Sequence, residues 1–209
     1  MASPGDPVDL ALVLAVDCSS SVVPLEFRLQ MEGIAAALRH PSLYSAIHAG
    51  RERRIALSLM LWSGADSQGV SVPWRVLETK ADLDAVAAEI AVAERTWQVG
   101  GTAIGIAIDY AAALLQRVPL TAARHVIDIS GDGPDNVSGS PAGARDRAVA
   151  QGITINGLPI AKGSQLLPLY YQTQVIGGHD AFIELAADIQ AFEGTILRKL
   201  LREVGNQVS

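Results

Sequence analysis

The chain has 209 residues, 49% of them hydrophobic and 18% charged, with a net charge of −6. That length suits one domain spanning 1–209, with 1–7 as a flexible N-terminal tail, and the composition excludes disorder as the dominant state. The apolar run 10–16 has seven residues between Asp9 and Asp17, far short of the roughly 20 that a membrane-spanning helix needs. Basic residues are scattered rather than striped, which argues against nucleic acid and membrane insertion or anionic surfaces as targets.

In chain order, residues 8–16 are almost continuously apolar, as in a strand buried on both faces. Residues 25–39 place Phe27, Met31, Ile34 and Leu38 on one helical face. Strands are expected over 55–62 and 70–77, the second at a sheet edge because it holds Pro73. Helices follow over 82–93 and 103–116, then a strand over 125–130. Ser140-Pro141 reads as an N-cap followed by Pro in the first turn, with Gly152 as the stop. Strands over 153–158 and 181–185 and a closing helix over 188–204 complete the chain. The Asn156-Gly157 pair is compatible with a hairpin, but its neighbours read as a strand running into a loop.

Alternating strands and helices predict an α/β fold: a doubly wound, mainly parallel central sheet with one antiparallel edge strand and helices on both faces. In such folds ligands sit outside the carboxyl ends of the strands. At those ends stand Asp17-Cys18-Ser19-Ser20-Ser21, Gly100-Gly101-Thr102 and Ser130-Gly131-Asp132-Gly133. In extended chain Asp17, Ser19 and Ser21 point to one side. With Thr102 and Asp132 they form a set of hard oxygen donors without imidazole, which favours Mg²⁺, Mn²⁺ or Ca²⁺.

These residues resemble the metal-ion-dependent adhesion site of von Willebrand factor A domains: Asp17-x-Ser19-x-Ser21, then Thr102, then Asp132, in the same order. More narrowly, Trp62-Ser63-Gly64, Gly101-Thr102-Ala103-Ile104-Gly105, the run from Val126 to Gly133 and the run from Ile153 to Leu158 resemble a bacterial family of uncharacterised von Willebrand A-like proteins (DUF1194 type). The resemblance implies a Rossmann-like domain without enzymatic activity. It implies that Ser19, Ser21 and Thr102 hold one divalent cation, Mg²⁺ foremost, with Asp17 and Asp132 acting directly or through water. One coordination position is left for an Asp or Glu carboxylate of a protein partner. It also suggests coupling to the last helix, and a periplasmic or secreted location, since such relatives often begin with an export signal. Ser20 departs from the pattern, because many relatives have Gly there.

Two alternatives stand beside this reading. Haloacid-dehalogenase-like phosphohydrolases also place an Asp after strand one and use a Gly-Asp-Gly loop for Mg²⁺, which Gly131–Asn136 approaches. They need a second Asp as acid/base where this chain has Ser19. The other alternative is a scaffold whose metal only ties loops together. Cys18 reads as a small buried hydrophobe rather than a nucleophile. Asp128, inside an apolar strand, must be paired or hydrogen-bonded. Asp135 and Asn136 read as rim or turn residues, Ser63 as a rim residue, and Tyr170-Tyr171 as a binding-face contact or a wedge onto the core.

Overall fold

The computed structural model describes residues 5–97 and 100–205. A five-stranded sheet has the order β4(Gln68–Leu77)-β3(Ile55–Trp62)-β2(Ala11–Asp17)-β6(His125–Gly131)-β7(Ile153–Pro159). Every neighbour pair is parallel except β3–β4. This is the doubly wound α/β sheet with one antiparallel edge that the alternation implies.

The strictly alternating side chains of β2 build both layers. Leu12, Leu14 and Val16 pack with Phe27, Met31, Ile34 and Leu38 of α1(Pro24–Arg39), with α3(Lys80–Ala91) and with α7(Phe192–Gly205). Ala11, Val13 and Ala15 face the opposite layer of α4(Ile104–Gln116) and α5(Ala142–Val149). Strand β2 is buried along its full length because helices cover both faces.

The edge strand absorbs Pro73 in an irregularity. The register jumps between Leu57↔Arg75 and Leu59↔Val72, and the Ser58 hydroxyl donates to the Val72 carbonyl at 2.8 Å. A proline that cannot donate to a ladder is accommodated in this way at an edge.

Several expected boundaries move. The apolar run 8–16 is two strands, not one. Asp9 turns its carboxylate to the Glu52 backbone N–H (3.0 and 3.1 Å). The preceding β1(Pro7–Val8) pairs with β5(Thr121–Ala122) instead of the main sheet. Of the segment 1–7 expected as a tail, residues 1–4 lie outside the described residues, and the Gly5 N–H donates to Pro119 C=O at 3.0 Å. Between α1 and β3 a helix not anticipated, α2(Pro41–His48), starts where His40 Nδ1 accepts the Ser42 N–H. Helix α3 begins two residues early because Thr79 and Asp82 cap it reciprocally (3.2 and 2.7 Å). Pro141 is itself the N-cap of α5, and Ser140 Oγ accepts the Ala142 N–H at 3.3 Å.

Asn156 and Gly157 lie inside β7, in parallel register with Asp128 and Ile129, so no hairpin forms there. After β7 come α6(Leu167–Tyr170) and a π-helical turn, Tyr171–Val175. The segment 181–185 is not a strand of the sheet. It touches β7 through the bridge Gly157↔Ile183, and Asn156 Oδ1 accepts the Phe182 N–H at 3.0 Å. Helix α7 starts at Phe192, because Asp188 Oδ1 takes the Ala191 N–H (2.9 Å) and closes a turn ahead of it.

Candidate metal centre

Three connections meet at the carboxyl edge of the parallel strands. Asp17 is the last residue of β2 and is fully buried. Its Oδ1 accepts the Ser19 N–H at 2.7 Å, so the chain turns over 19–22 instead of staying extended as the alternation of Asp17, Ser19 and Ser21 implies. Ser19 Oγ lies 3.2 Å from Ser21 Oγ, and Ser21 Oγ donates to Asp132 Oδ1 at 2.6 Å. Ser21 has one hydroxyl proton and gives it to the carboxylate, so Ser19 is the donor in the first of these contacts. Asp17, Ser19, Ser21 and Asp132, residues of two separate connections, thus form one continuous chain of polar contacts.

Thr102 enters from the third connection. Its N–H donates to Asn136 Oδ1 (2.8 Å) and its carbonyl accepts the Asn136 N–H (3.0 Å). Asp135 accepts the Gly105 N–H with one oxygen (3.0 Å) and the Val137 and Ser138 N–H groups with the other (3.0 and 2.7 Å). These two residues therefore lash the Asp132 connection to the N-terminus of α4. Ser63 Oγ donates to the Gly101 carbonyl (3.3 Å), and the Ser20 N–H donates to that of Gly100 (3.2 Å). Thr102 joins the other four through these backbone neighbours.

The electrostatics of Asp17 are unusual. Burial pushes its carboxyl up to about 7 from the ordinary 3.8; the backbone N–H groups of Ser19 and Asp132 oppose this, and the charge of Asp132 adds to it. Its Oδ2 is buried and has no hydrogen-bond partner. A carboxylate taken out of water without a counter-ion is costly. This orphaned oxygen, beside a second carboxylate and three hydroxyl-bearing residues, suits a hard divalent cation. Among the described residues no group of three or more His, Cys, Asp or Glu side chains is placed to hold a metal ion, so an ion here would draw on hydroxyl oxygens as well as the two carboxylates, a set of hard oxygen donors that fits a divalent cation.

Four residues that the motif does not include complete the surroundings. Arg95 donates from Nε and Nη2 to the Cys18 carbonyl (3.1 and 3.0 Å) and from Nη2 to that of Ser19 (2.7 Å), clamping the first connection by its backbone. Lys162 Nζ donates to Asp132 Oδ2 at 2.7 Å and to Glu26 Oε2 at 2.6 Å. Tyr171 is fully buried, its hydroxyl without a partner, and burial drives that hydroxyl well above its ordinary pKa, with the Asp17 and Asp132 charges adding to the rise. Lys162 follows the end of a parallel strand, so its position at the ligand-binding edge was a usable signal. Nothing local marks Glu26 or Arg95, whereas Tyr171 stands out only as one of an adjacent aromatic pair.

Gly131 carries the tightest approach at the site. A Cβ there would stand 2.7 Å from Tyr171 Oη and 3.1 Å from Asp17 Oδ2. Gly131→Ala is expected to destabilise the protein by about 1–3 kcal/mol through overpacking. Adding Tyr171→Phe removes one of the crowded atoms and is expected to recover part of that loss in urea unfolding. Equal loss in both variants would place the strain elsewhere.

The remaining expectations fall on the structural side. Cys18 is buried, and its Sγ donates to the Trp62 carbonyl at 3.3 Å. Burial and the nearby Asp17 charge push its thiol up to about 11, against the pull of Arg95, which is the opposite of an activated nucleophile. Asp128 is paired, at 2.8 Å from Lys199 Nζ. Tyr170 and Tyr171 wedge onto the core: the Tyr170 hydroxyl accepts the Asp135 N–H at 3.1 Å, and Tyr171 lies in the buried cluster.

The model of a family described as "Protein of unknown function (DUF1194)" matches residues 7–208. No curated protein matches the chain. Among solved structures, proximal thread matrix protein 1 (PTMP1) of the mussel byssus is similar, with a TM-score of 0.69 at 14% identity over 98% of this chain and 50% of that one. Another structure of PTMP1 has a zinc-occupied MIDAS (metal-ion-dependent adhesion site) motif. A von Willebrand factor type A protein from Catenulispora acidiphila matches with a TM-score of 0.64 at 17% identity, over 97% of this chain and 44% of that one. The vWF domain of the type V pili tip protein Mfa5 from Porphyromonas gingivalis matches with a TM-score of 0.64 at 12% identity, over 97% of both chains. The chain therefore spans about half the length of PTMP1. At these identities the likeness is one of fold: this sheet and its helices form a von Willebrand A fold.

Proposed function

We propose that this chain, which belongs to the DUF1194 family, is an adhesion-type von Willebrand A module that holds one divalent cation and uses it to grip a carboxylate of a protein partner. We read 1–209 as one such module. The holding residues are Asp17, Ser19, Ser21, Thr102 and Asp132, and the ion is Mg²⁺ foremost, with Mn²⁺ or Ca²⁺ as substitutes. The observation that carries the reading is Asp17 Oδ2, a fully buried carboxylate oxygen with no hydrogen-bond partner at the edge where Ser19, Ser21 and Asp132 meet.

When bound, such a cation supplies an electrophilic position for an incoming oxygen anion. The residues of this chain prepare that position. Ser19, Ser21 and Thr102 donate neutral oxygens, so the charge of the ion is only partly balanced. The Arg95 clamp and the Asp135–Asn136 lashing keep the connections in register, which spares the ordering cost on binding. The exposed Val23, Leu25, Val137, Leu166 and Leu169 lie on the connections that follow β2, β6 and β7. Exposed apolar side chains on these segments suit a protein surface as partner.

The zinc-occupied motif in PTMP1 and the pilus-tip neighbour Mfa5 support the reading. They also favour a secreted or periplasmic location, and no helix among the described residues is long and apolar enough to cross a membrane. We read the chain as no enzyme. A phosphohydrolase needs an acid/base where Ser19 stands, and Ser19 is engaged with Ser21.

Calorimetric titration of chelator-treated protein with Mg²⁺, Mn²⁺ and Ca²⁺ tests the site. One saturable site is expected, and Thr102→Ala is expected to weaken it at least about tenfold, the equivalent of about 1.4 kcal/mol for one lost ligand. No binding to the wild-type protein at millimolar cation would sink the reading. Binding that raises the melting temperature but gives the loaded protein no affinity for acetate or an acidic peptide would replace it with the scaffold alternative.

A further inference from the structure

Lys162 stands in an unfavourable backbone conformation. Its φ is 46°, that of Gly163 is 86°, and the Ser164 N–H closes the turn onto the Ala161 carbonyl at 2.7 Å. Left-handed turn positions are the ground of Gly, Asn and Asp, and a long cationic side chain there is uncommon. The turn sends the side chain across the site. Its ammonium donates to Asp132 Oδ2 at 2.7 Å, Glu26 Oε2 at 2.6 Å and the Ser21 carbonyl at 3.2 Å, so all three of its protons are used. Asp132 keeps only 1% of its side chain exposed, while Lys162 keeps 32%. Glu26 also accepts the Val23 N–H at 3.1 Å, which fixes it at the start of α1. Burial pulls the Lys162 pKa down, but the hydrogen bonds it donates to the two carboxylates outweigh this and raise it.

We propose that Lys162 is a resident counter-cation of the site, which weakens the binding of a divalent ion by competing for Asp132 and keeps the loaded site neutral enough to accept a carboxylate from the partner. This rests on the cation-binding reading above. Asp17, Asp132, Glu26 and Asp135 carry four formal negative charges around the site, and Lys162 and Arg95 two positive ones. With the ammonium present, a divalent ion brings the cluster to neutrality; without it, the loaded cluster stays net negative and repels an incoming carboxylate. The two effects of Lys162 therefore have opposite signs. A residue that merely ties the turn to α1 has neither.

The test compares wild type, Lys162→Gln and Lys162→Arg. Mn²⁺ affinity is read by calorimetry, and acetate affinity of the Mn²⁺-loaded protein by the fall in water-proton relaxation. Lys162→Gln is expected to bind Mn²⁺ at least about fivefold tighter and acetate at least about fivefold weaker, as unit-charge interactions a few ångströms apart at a half-exposed site require. Lys162→Arg keeps the charge and is expected to restore wild-type behaviour in both. Any pattern in Lys162→Gln other than these opposite shifts overturns the role of Lys162. If the wild type binds Mn²⁺ meanwhile, the cation site itself stands. If neither the wild type nor Lys162→Gln binds Mn²⁺, both readings fall. Binding by Lys162→Gln alone is the extreme of the expected result.

Discussion

Asp17→Asn is expected to make the metal-free protein more stable at pH 8 while abolishing its response to divalent cations. The folded-state pKa of Asp17 is raised by burial to about 7 from 3.8. Below about pH 4 both folded and unfolded chains hold the proton, and the residue costs nothing. Between about pH 4 and 7 the unfolded chain has released its proton and the folded one has not, so stability falls as pH rises. Above pH 7 the full penalty is present, up to about 4 kcal/mol at 1.36 kcal/mol per pKa unit. Asparagine keeps the oxygen that accepts the Ser19 N–H and carries no charge, so it escapes that penalty. For a chain of this size the gain corresponds to roughly 8–16 °C in melting temperature. Thermal scans in chelator at pH 4 and pH 8 check this. The two proteins are expected to coincide at the lower pH and separate at the higher, with Mg²⁺ raising the melting temperature of wild type alone. A variant no more stable than wild type at pH 8 would mean that the Asp17 carboxylate is already compensated without metal.

Lys199→Met is expected to act in the opposite direction and as strongly. Lys199 is fully buried in α7, with Nζ at 2.8 Å from Asp128 Oδ1 and 2.6 Å from Glu203 Oε1. Asn156 Nδ2 adds a hydrogen bond to the same Glu203 oxygen at 3.1 Å. This cluster joins the last helix to β6 and β7. Burial raises the Asp128 pKa and the Glu203 charge raises it further, while Lys199 pulls it back. Methionine fills nearly the same volume but leaves two buried carboxylates without a cation, a loss of about 3–5 kcal/mol. Urea unfolding should show a midpoint lowered accordingly, and the further changes Asp128→Asn and Glu203→Gln should restore most of it by removing the stranded charges. An unchanged midpoint in the single variant would show that the cluster contributes no net stability. Asp17 and Asp128 are thus the same chemistry in two settings: both carboxylates are buried, and Asp128 touches a lysine ammonium while Asp17 Oδ2 has no hydrogen-bond partner.

This contrast also marks how far the sequence reaches. The periods of two and 3.6 that record buried faces are local, so the five strands of the sheet, its longer helices and the edge strand with Pro73 were legible without a structure, while the short helix 41–48 and the helical turns over 167–175 were not. The convergence of Asp17, Ser19, Ser21 and Asp132 was legible as well, because carboxyl ends of parallel strands share one edge whatever the details of packing. The need for a partner at Asp128 followed from its apolar neighbours alone. The identity of that partner did not, since the Lys199 and Glu203 pair at i, i+4 looks like an ordinary solvated helix pair until packing buries it.

Only the tertiary structure decided the rest. A local pattern could not show that 8–16 breaks at Asp9, because the break is made by a backbone N–H at Glu52. Nor could it show that 181–185 stays outside the sheet, since short apolar runs look alike whether they pair as strands or pack as loops. Lys162 reaches Glu26 across 136 positions and Asp132 across 30, and Arg95 reaches Cys18 across 77. Such contacts depend on how loops from different strands are brought to the same edge, and they leave no periodic trace. The sequence by itself determined the layers and the sheet edge at which Asp17, Ser19, Ser21 and Asp132 meet. The fold alone determined which charges surround them, because charge pairing between loops is set by strand order and register rather than by neighbours along the chain.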